Sequence, residues 1–318
     1  MSDPLAGPAA PALRLDEAVD LGYAVAARAA EDVGVRLLAI KGPVLAVQGL
    51  RTPSPSVDID VLVDPAGFDR VRARLEAVGW HDDGVYDTPG IVPLHSVNHR
   101  HPSWPCELDV HHWFPGFLAD PAEVFAVLWE RRTTAVLAHV ELGAPDPVAH
   151  AALAALHYLR DSATQWGRTK VEDLATRVAE WDPDRLRDLG ELAAATGAVD
   201  SLRPFLHRVG APVLAPTRPL AISPEDWRMR SDAETRDVLP WLVELGRLPW
   251  HRRPAFLARA LWPEDRLFQH SQARNKATSD SRGALLAARW QRLRRGVRAL
   301  PAAWRDYRRL SAKRRGDS

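Results

Sequence analysis

Two carboxylates stand two residues apart in the segment 57–63, which is otherwise β-branched and aliphatic. Successive side chains of a strand point to opposite faces, so a strand here places Asp58 and Asp60 on one face. Paired carboxylates repel each other unless a cation lies between them, and paired oxygens suit a hard divalent ion, Mg²⁺ first. The segment therefore predicts a metal-binding strand. A surface strand with a polar face is the alternative.

A possible phosphate-binding turn lies upstream of this strand. The apolar stretch that ends at Ile40 is followed by Lys41, Gly42 and Pro43. This order predicts a strand, a tight turn and a helix that begins at the proline. The free N–H groups of a helix N-terminus suit a phosphate, and Lys41 adds a positive charge. An ordinary strand-to-helix turn with a solvated lysine is the alternative.

A third set of polar residues lies in the segment 106–113, which also reads as a strand. Alternation places Glu107, Asp109 and His111 on one face. A third carboxylate on a strand that neighbours Asp58 and Asp60 would complete a metal clamp. For His111, the alternative is a hydrogen-bonded, half-buried histidine.

The order of these motifs resembles a bacterial nucleotidyltransferase family within the polymerase-β-like nucleotidyltransferase superfamily. The matching stretches are Ile40-Lys41-Gly42, Asp58-Ile59-Asp60-Val61-Leu62-Val63 and Asp109-Val110-His111. Two weaker similarities lie at residues 171–175 and 261–263. The chain departs from the pattern at three points: the superfamily's Gly-Ser turn is absent, Ser54 stands where an arginine is frequent, and His112 stands where a tryptophan is usual.

The resemblance implies roles for individual residues. Asp58, Asp60 and Asp109 would hold one or two Mg²⁺ ions, with Asp109 the base or metal ligand for the incoming hydroxyl. Lys41 and the backbone at Gly42 would hold the β- and γ-phosphates. The roles of four further residues are less direct. His111 would orient a carboxylate or contact the acceptor, and Arg168, Lys170 and Asp173 would contact the nucleotide or close the cleft.

The implied activity is a Mg²⁺-dependent transfer of a nucleoside monophosphate from an NTP to an acceptor hydroxyl. A small molecule or a peptide natural product is favoured as the acceptor over RNA. One alternative is metal-dependent glycosyl transfer from an NDP-sugar on the same fold. The other is a non-catalytic nucleotide- or RNA-binding module.

The order of elements predicts an α+β fold, in which a polymerase-β-like core (a mixed twisted sheet with helices) is followed by a helical domain. We expect a flexible tail at 1–14, the nucleotidyltransferase core at 15–115, the helical domain at 116–281 and a basic helix or tail at 282–318. The single cysteine, Cys106, excludes an intramolecular disulfide. We expect no transmembrane segment and a cytoplasmic location.

The C-terminal segment 282–318 is strongly basic. It contains twelve lysines and arginines and two aspartates, so it carries a net charge of +10 while the rest of the chain carries −9. Trp290, Leu293 and Val297 share one helical face. Such a helix suits RNA, an anionic membrane surface or the protein's own acidic body as a partner, and RNA is a possible partner of residues 282–315. A packed C-terminal helix with a solvated basic face is the interpretation that we favour.

Overall fold

The computed structural model describes residues 13–82, 94–224, 248–261 and 282–316, with single positions between 225 and 247. Most of the predicted N-terminal tail therefore lies outside the described residues, as do Trp262 and Pro263 of the late weak motif. Within the described residues, no helix combines the length and the apolar character that crossing a bilayer requires.

A five-stranded mixed sheet carries the predicted metal strand. Its strands are β1 (Leu37–Ile40), β2 (Asp58–Val63), β3 (His81–Asp82), β4 (Ser96–Arg100) and β5 (Glu107–His111). The spatial order is β1-β2-β5-β4-β3. Strands β2 and β5 run parallel, and the other three pairs are antiparallel. Pro53 and Pro55 stand in alternation before the metal strand, which favours a loop, and residues 51–57 form no helix or strand.

Helices and a second, two-stranded sheet make up the other described elements. The elements outside it are α1 (Leu15–Asp32), α2 (Gly42–Val47), α3 (Phe68–Ala77), α4 (Pro121–Glu130), β6 (Arg132–Leu137), β7 (Val140–Pro145), α5 (Pro147–Arg160), α6 (Gln165–Ala179), α7 (Pro183–Ala195), α8 (Val199–Val209), α9 (Arg253–Leu261) and α10 (Arg282–Gly316). This arrangement confirms the predicted α+β class.

Several helices begin where an aspartate precedes a proline. The side chain of Asp120 accepts a hydrogen bond from the backbone N–H of Ala122 at 2.9 Å and so caps α4. Asp182 caps α7 in the same way, by accepting from the N–H of Arg185 at 2.9 Å. The carboxylate satisfies an N–H group that has no partner within the helix, and the proline loses nothing by lacking one. Each Asp-Pro pair therefore marks the start of its helix in the sequence.

The sequence of residues 136–142 favours one short strand, but the structure differs there. This segment is the centre of a β-hairpin, in which β6 and β7 pair antiparallel from Arg132 opposite Pro145 to Leu137 opposite Val140. Ala138 and His139 form the two-residue turn, with φ of 48° and 61°. Positive φ at both turn positions is the geometry that tight hairpins favour, although Asn and Gly usually supply it. The residue types at the turn therefore gave no signal of the reversal.

The described residues divide into two compact units, the first of which holds the sheet and α1–α8, and the second α9 and α10. In the first unit, one cluster of buried apolar side chains joins β1 and β2 to α4–α8. Examples are Ile40, Leu62, Phe125, Leu153 and Phe205. Burial of such side chains is the main favourable term in folding. The predicted boundary at residue 115 between a core and a helical domain remains a prediction.

Candidate active site

Asp60 and Asp109 occupy directly opposed positions on the parallel strands β2 and β5. Asp60 is buried, and Asp109 is half-buried. Because neighbouring strands lie about 4.8 Å apart, side chains at paired positions on one face of the sheet are close together. The sheet thus places two carboxylates side by side, which is the arrangement that the predicted metal clamp requires.

Two basic side chains contact this carboxylate pair. The Lys41 ammonium donates a hydrogen bond to Asp60 Oδ1 at 2.6 Å. His111 Nε2 lies 3.0 Å from Asp60 Oδ1 and 3.0 Å from Asp109 Oδ2. A nitrogen that contacts two carboxylates does so as a donor, so the proton of His111 lies on Nε2. His111 therefore bridges the two strands, as the prediction that it orients a carboxylate requires.

The charges of this group hold each other ionised. Burial alone would raise the pKa of Asp60, but the Lys41 ammonium and the hydrogen bond from His111 lower it below its ordinary value. Burial also opposes ionisation of Lys41 and His111, yet Asp60 raises the pKa of Lys41 and Asp109 raises that of His111. The pKa of Asp109 is lowered, because His111 outweighs the effect of burial. Opposite charges at short range favour the charged form of each partner.

Asp58 lies two residues before Asp60 and is exposed at the first position of β2. Its partial burial and the negative charge of Asp60 raise its pKa to about 6, although the Lys41 ammonium lowers it. The charge of Asp109 also acts on it and raises the pKa further. Lys41 therefore offsets burial and repulsion at Asp58 only in part, whereas the cationic contacts of Asp60 and Asp109 lower their pKa values overall. A divalent cation near the three carboxylates would supply the remaining compensation.

The donor set fits a divalent cation. One ligand atom from each of Asp60, Asp109 and His111 lies within 4.8 Å of the other two. Among the described residues, the buried Asp109 Oδ1 and His111 Nδ1 have no hydrogen-bond partner. A buried polar atom without a partner is unfavourable, so Asp109 Oδ1 is open to a metal ion, whereas a charged His111 donates from both ring nitrogens and would bind a cation only after losing a proton. Carboxylate oxygens suit Mg²⁺, whereas an imidazole nitrogen is better suited to Mn²⁺ or Zn²⁺.

The turn at Lys41-Gly42 has an unusual backbone. Lys41 has φ 56° and ψ −143°, and Gly42 has φ 48°. The Tyr23 hydroxyl donates to the carbonyl of Ile40 at 2.8 Å and accepts from the N–H of Asp60 at 3.3 Å. A Cβ on Gly42 would lie 2.5 Å from that hydroxyl oxygen. Position 42 therefore requires glycine both for its backbone conformation and for the close approach of Tyr23.

Three polar residues whose contacts support this turn were missed in the sequence: His150, Gln48 and Tyr23. The N–H of Lys41 donates to His150 Nε2 at 2.7 Å, and His150 Nδ1 lies 2.7 Å from Gln48 Oε1. His150 is fully buried in α5, among alanines and leucines. Its one signal in the sequence was a single polar side chain inside an apolar helical stretch, which by itself is typical of an ordinary core histidine. Tyr23, on the buried face of α1, gave no signal of its contact with the turn.

Two of the residues of α6 that were predicted to contact the nucleotide make no described contact with the carboxylate group. Lys170 is half-buried, and Arg168 and Asp173 are exposed. Among the described contacts, no hydrogen bond or ion pair joins Lys170 or Asp173 to the carboxylate group. Burial raises the pKa of Tyr158, and the charges of Lys41 and Asp173 also act on it. Tyr158 thus lies within electrostatic reach of both the turn and α6.

The other polar residues near β5 have structural partners. Glu107, on the same face as Asp109, forms an ion pair with Arg100 on β4. His112 stacks on the Phe68 ring, with a distance of 4.4 Å between the ring centroids. The predicted three-residue face of β5 therefore contributes two residues, Asp109 and His111, to the carboxylate group.

The chain has distant similarity to several solved structures. An antigenic nucleotidyltransferase-like protein from Paracoccidioides brasiliensis is 14% identical, with 62% of this chain and 94% of that one covered and a TM-score of 0.36. The lincosamide antibiotic adenylyltransferase LnuA, bound to lincomycin, is 17% identical, with 49% and 94% covered and a TM-score of 0.32. A tRNA nucleotidyltransferase complexed with a primer tRNA and an incoming ATP analogue is 13% identical, with 80% and 84% covered and a TM-score of 0.26. Similarities this low carry no argument about function.

The match to a protein family is more extensive. No curated protein matches the chain significantly. A family model described as "Uncharacterised nucleotidyltransferase" matches residues 23–211, which is more than half of the chain. The matched region contains Tyr23, the Lys41-Gly42 turn, both strands of the carboxylate group and His150. The chain belongs to this nucleotidyltransferase family.

Proposed function

We propose that this protein is a Mg²⁺-dependent enzyme that transfers a nucleoside monophosphate from an NTP to an acceptor hydroxyl. The observation that carries the proposal is the pairing of Asp60 with Asp109 on adjacent parallel strands, with Asp58 on the same strand as Asp60. These three carboxylates would hold the ion. Bound Mg²⁺ neutralises phosphate charge and lowers the pKa of the acceptor hydroxyl.

The reaction is a displacement at the α-phosphorus of the NTP. The acceptor oxygen forms a bond to this phosphorus, and the bond to the oxygen that bridges the α- and β-phosphates breaks. Pyrophosphate leaves with the electron pair of that bond, and the hydroxyl proton passes to Asp109 or to water. Such a reaction needs positioning and charge neutralisation more than covalent help from the protein.

The basic residues of the site would act on the donor. The Lys41 ammonium, whose pKa is raised, stays charged at neutral pH and would neutralise the β- and γ-phosphates together with the backbone at Gly42. His111 would keep Asp60 and Asp109 oriented by its contacts with both. Lys170 and Asp173 on α6 would contact the nucleotide.

We propose a small molecule or a peptide natural product as the acceptor, and the cytoplasm, where NTP and Mg²⁺ are present, as the location. Incubation with each NTP and candidate acceptors tests the reaction class. Release of pyrophosphate together with a product heavier by one nucleoside monophosphate supports it.

Metal-dependent glycosyl transfer from an NDP-sugar is the main alternative reaction, because the same carboxylates suit a metal-bound diphosphate. It predicts a product heavier by one hexose and no pyrophosphate. A non-catalytic nucleotide- or RNA-binding module predicts binding without either product. The mass of the product therefore separates all three.

RNA is the partner that we propose for residues 282–315. Helix α10 is rich in arginine, and Trp290 and Trp304 are exposed on it. Arginines bind phosphates, and exposed tryptophans stack on unpaired bases. RNA retention that weakens with salt and is lost in a Trp290→Ala/Trp304→Ala variant supports this role. Retention unchanged by the double substitution contradicts it.

A further inference from the structure

Behind the Lys41-Gly42 turn, hydrogen bonds join Gln48, His150 and the backbone N–H of Lys41, and the donor and acceptor of each bond can be assigned. Gln48, which follows α2, donates from its side-chain Nε2 to the carbonyl of Pro145 at 2.8 Å. A carbonyl only accepts, so this contact fixes the orientation of the Gln48 amide and turns its Oε1 toward His150 Nδ1 at 2.7 Å. Oε1 also only accepts, and His150 must therefore carry its proton on Nδ1.

The tautomer of His150 follows from this sequence of contacts. With the proton on Nδ1, Nε2 holds a free lone pair, and this lone pair accepts the N–H of Lys41 at 2.7 Å. A doubly protonated ring would present an N–H to the Lys41 N–H and could not make the contact. Consistent with a neutral ring, burial lowers the pKa of His150 to about 3.

The turn needs this support because its backbone conformation is unfavourable. Lys41 has a Cβ and a positive φ, a combination that L residues rarely adopt and that persists only where the surroundings enforce it. From the other side, Tyr23 holds the carbonyl of Ile40 and the N–H of Asp60. His150 accepts a hydrogen bond from the Lys41 N–H and so holds the backbone from which the Lys41 side chain reaches Asp60.

We propose that His150 and Gln48 are positioning residues, which hold Lys41 in the one backbone conformation that places its ammonium beside Asp60 and the donor phosphates. This inference deepens the proposed function and rests on it. Neither residue contacts the carboxylates; each acts through the Lys41 backbone. The alternative is that His150 only fills space in the core.

Substitutions at position 150 separate positioning from core packing. In His150→Gln, the amide oxygen reaches the place of Nε2 and still accepts from Lys41. His150→Leu fills the space but leaves the Lys41 N–H buried without an acceptor. His99→Leu is the matched control, because His99 is also fully buried and donates from Nδ1 to the carbonyl of Val97 at 3.0 Å. On β4, Asn98 rather than His99 is paired with Asp109, so His99 lies on the other face of the sheet.

The primary measurement is the steady-state kinetics of the full-length variants with NTP and Mg²⁺. A purely structural loss reduces the folded fraction, which lowers the apparent kcat and leaves the KM for NTP unchanged. We expect His150→Leu to raise this KM about tenfold or more, the range set by one unsatisfied buried polar group. His150→Gln should stay within about threefold of the unaltered protein. His99→Leu should lower stability without changing the KM.

A second readout is independent of turnover. In ¹⁵N NMR spectra of the full-length protein, the His150 ring should be neutral at pH 6, with the proton on Nδ1. Gln48→Leu removes the acceptor for that proton and should shift the His150 ring signals and the Lys41 amide together, while the signals of His99 stay unchanged.

The outcomes distinguish failure of this inference from failure of the proposed function. If the unaltered protein uses NTP and His150→Leu keeps its KM, the positioning role is wrong and His150 is a core residue. A His150 ring protonated on Nε2 contradicts it equally. If the unaltered protein neither binds nor uses any NTP, the proposed function is itself wrong, and the positioning role fails with it.

Discussion

Asp60 and Asp109 stand opposite each other on the parallel strands β2 and β5, and His111 Nε2 lies 3.0 Å from an oxygen of each. Three positive or proton-donating contacts surround these two carboxylates: one from Lys41 to Asp60, and one from His111 to each. Mutual electrostatic compensation of this kind keeps buried charges tolerable. Asp58, whose pKa is raised to about 6, has no such contact and is the carboxylate that a bound cation would benefit most.

Asp58→Asn gives the cleanest test of the carboxylate clamp. Because Asp58 makes no ion pair among the described residues and its charge is repelled by those of Asp60 and Asp109, its replacement by Asn should not lower the unfolding free energy. Activity with NTP and Mg²⁺ should fall at least about a hundredfold if the side chain holds the ion. Pyrophosphate release and chemical denaturation measure the two effects. Asp69→Asn, at an exposed position of α3, is the control and should change neither; full turnover by Asp58→Asn would exclude the metal role of Asp58.

Gly42→Ala should be more destabilising than Gly49→Ala. Both glycines have positive φ, 48° and 72°, so both substitutions bear the backbone penalty of about 1 kcal/mol. A Cβ at Gly49 meets no atom within 4 Å, whereas one at Gly42 meets the Tyr23 hydroxyl. We expect Gly42→Ala to cost roughly 1–3 kcal/mol more in chemical denaturation.

Tyr23→Phe is the partner substitution for Gly42→Ala. It removes the oxygen that crowds position 42, so part of the additional cost should be recovered in the double variant. A double-mutant cycle measures this coupling, which should be about 0.5 kcal/mol or more and favourable. Strictly additive effects of the two substitutions would contradict the close approach of Tyr23 to Gly42.

Stability should depend on pH through His150. The folded-state pKa is lowered to about 3 from an ordinary value of 6.5, first by burial and then by the Lys41 charge, while the Asp60 charge opposes the shift. Below pH 6.5 the unfolded chain binds a proton that the folded protein does not. The unfolding free energy should therefore fall as the pH falls from 6.5 toward about 3, by up to about 1.4 kcal/mol per pH unit.

Comparison with His150→Gln isolates this contribution from that of the many carboxylates. The stability of the unaltered protein and of the variant, measured by chemical denaturation between pH 7.5 and about 4.5, should converge as the pH falls. Parallel curves would mean that His150 takes up its proton equally in the folded and unfolded states. This result would contradict a neutral His150 with a hydrogen bond at each ring nitrogen.

Arg131 should contribute far more to stability than an exposed arginine. It donates to Asp188 at 2.7 and 2.5 Å and forms an ion pair with Asp146 at 2.8 Å, so it connects α4 to α7 and to the start of α5. Arg131→Met leaves two partly buried carboxylates without their cation, at a cost of roughly 3 kcal/mol. Arg187→Met, in the exposed ion pair with Asp184, is the matched control and should cost less than about 1 kcal/mol. Equal effects in thermal or chemical denaturation would contradict the assignment.

The carboxylates were readable from the sequence because a strand has a fixed side-chain period. Asp58, Asp60 and Asp109 each stand in a short aliphatic run, and the alternation along each strand identifies the face of that strand on which its carboxylates lie. Lys41 was readable for a similar reason, since Gly42 and Pro43 mark a turn and a helix start. What the sequence did not give was the pairing of β2 with β5, which joins residues 49 positions apart and depends on the whole sheet.

The supporting residues could not be predicted in the same way. His150 and Tyr23 lie on helices, and their periodicity indicates only that they face the core. Whether a buried polar side chain meets a strained turn or a neighbouring carbonyl depends on the packing of α1 and α5 against the sheet. The β6–β7 hairpin was missed for a local reason, because Ala138 and His139 are uncommon in a tight turn with positive φ.

Isothermal titration of the full-length protein with each NTP, with and without Mg²⁺, tests the central claim most directly. The account predicts NTP binding that requires Mg²⁺, is lost in Asp60→Asn and is retained in the control Asp69→Asn. Preferential binding of UDP-glucose would transfer the assignment to glycosyl transfer. Binding of NTP that is equally tight without Mg²⁺ and in Asp60→Asn would contradict the carboxylate clamp.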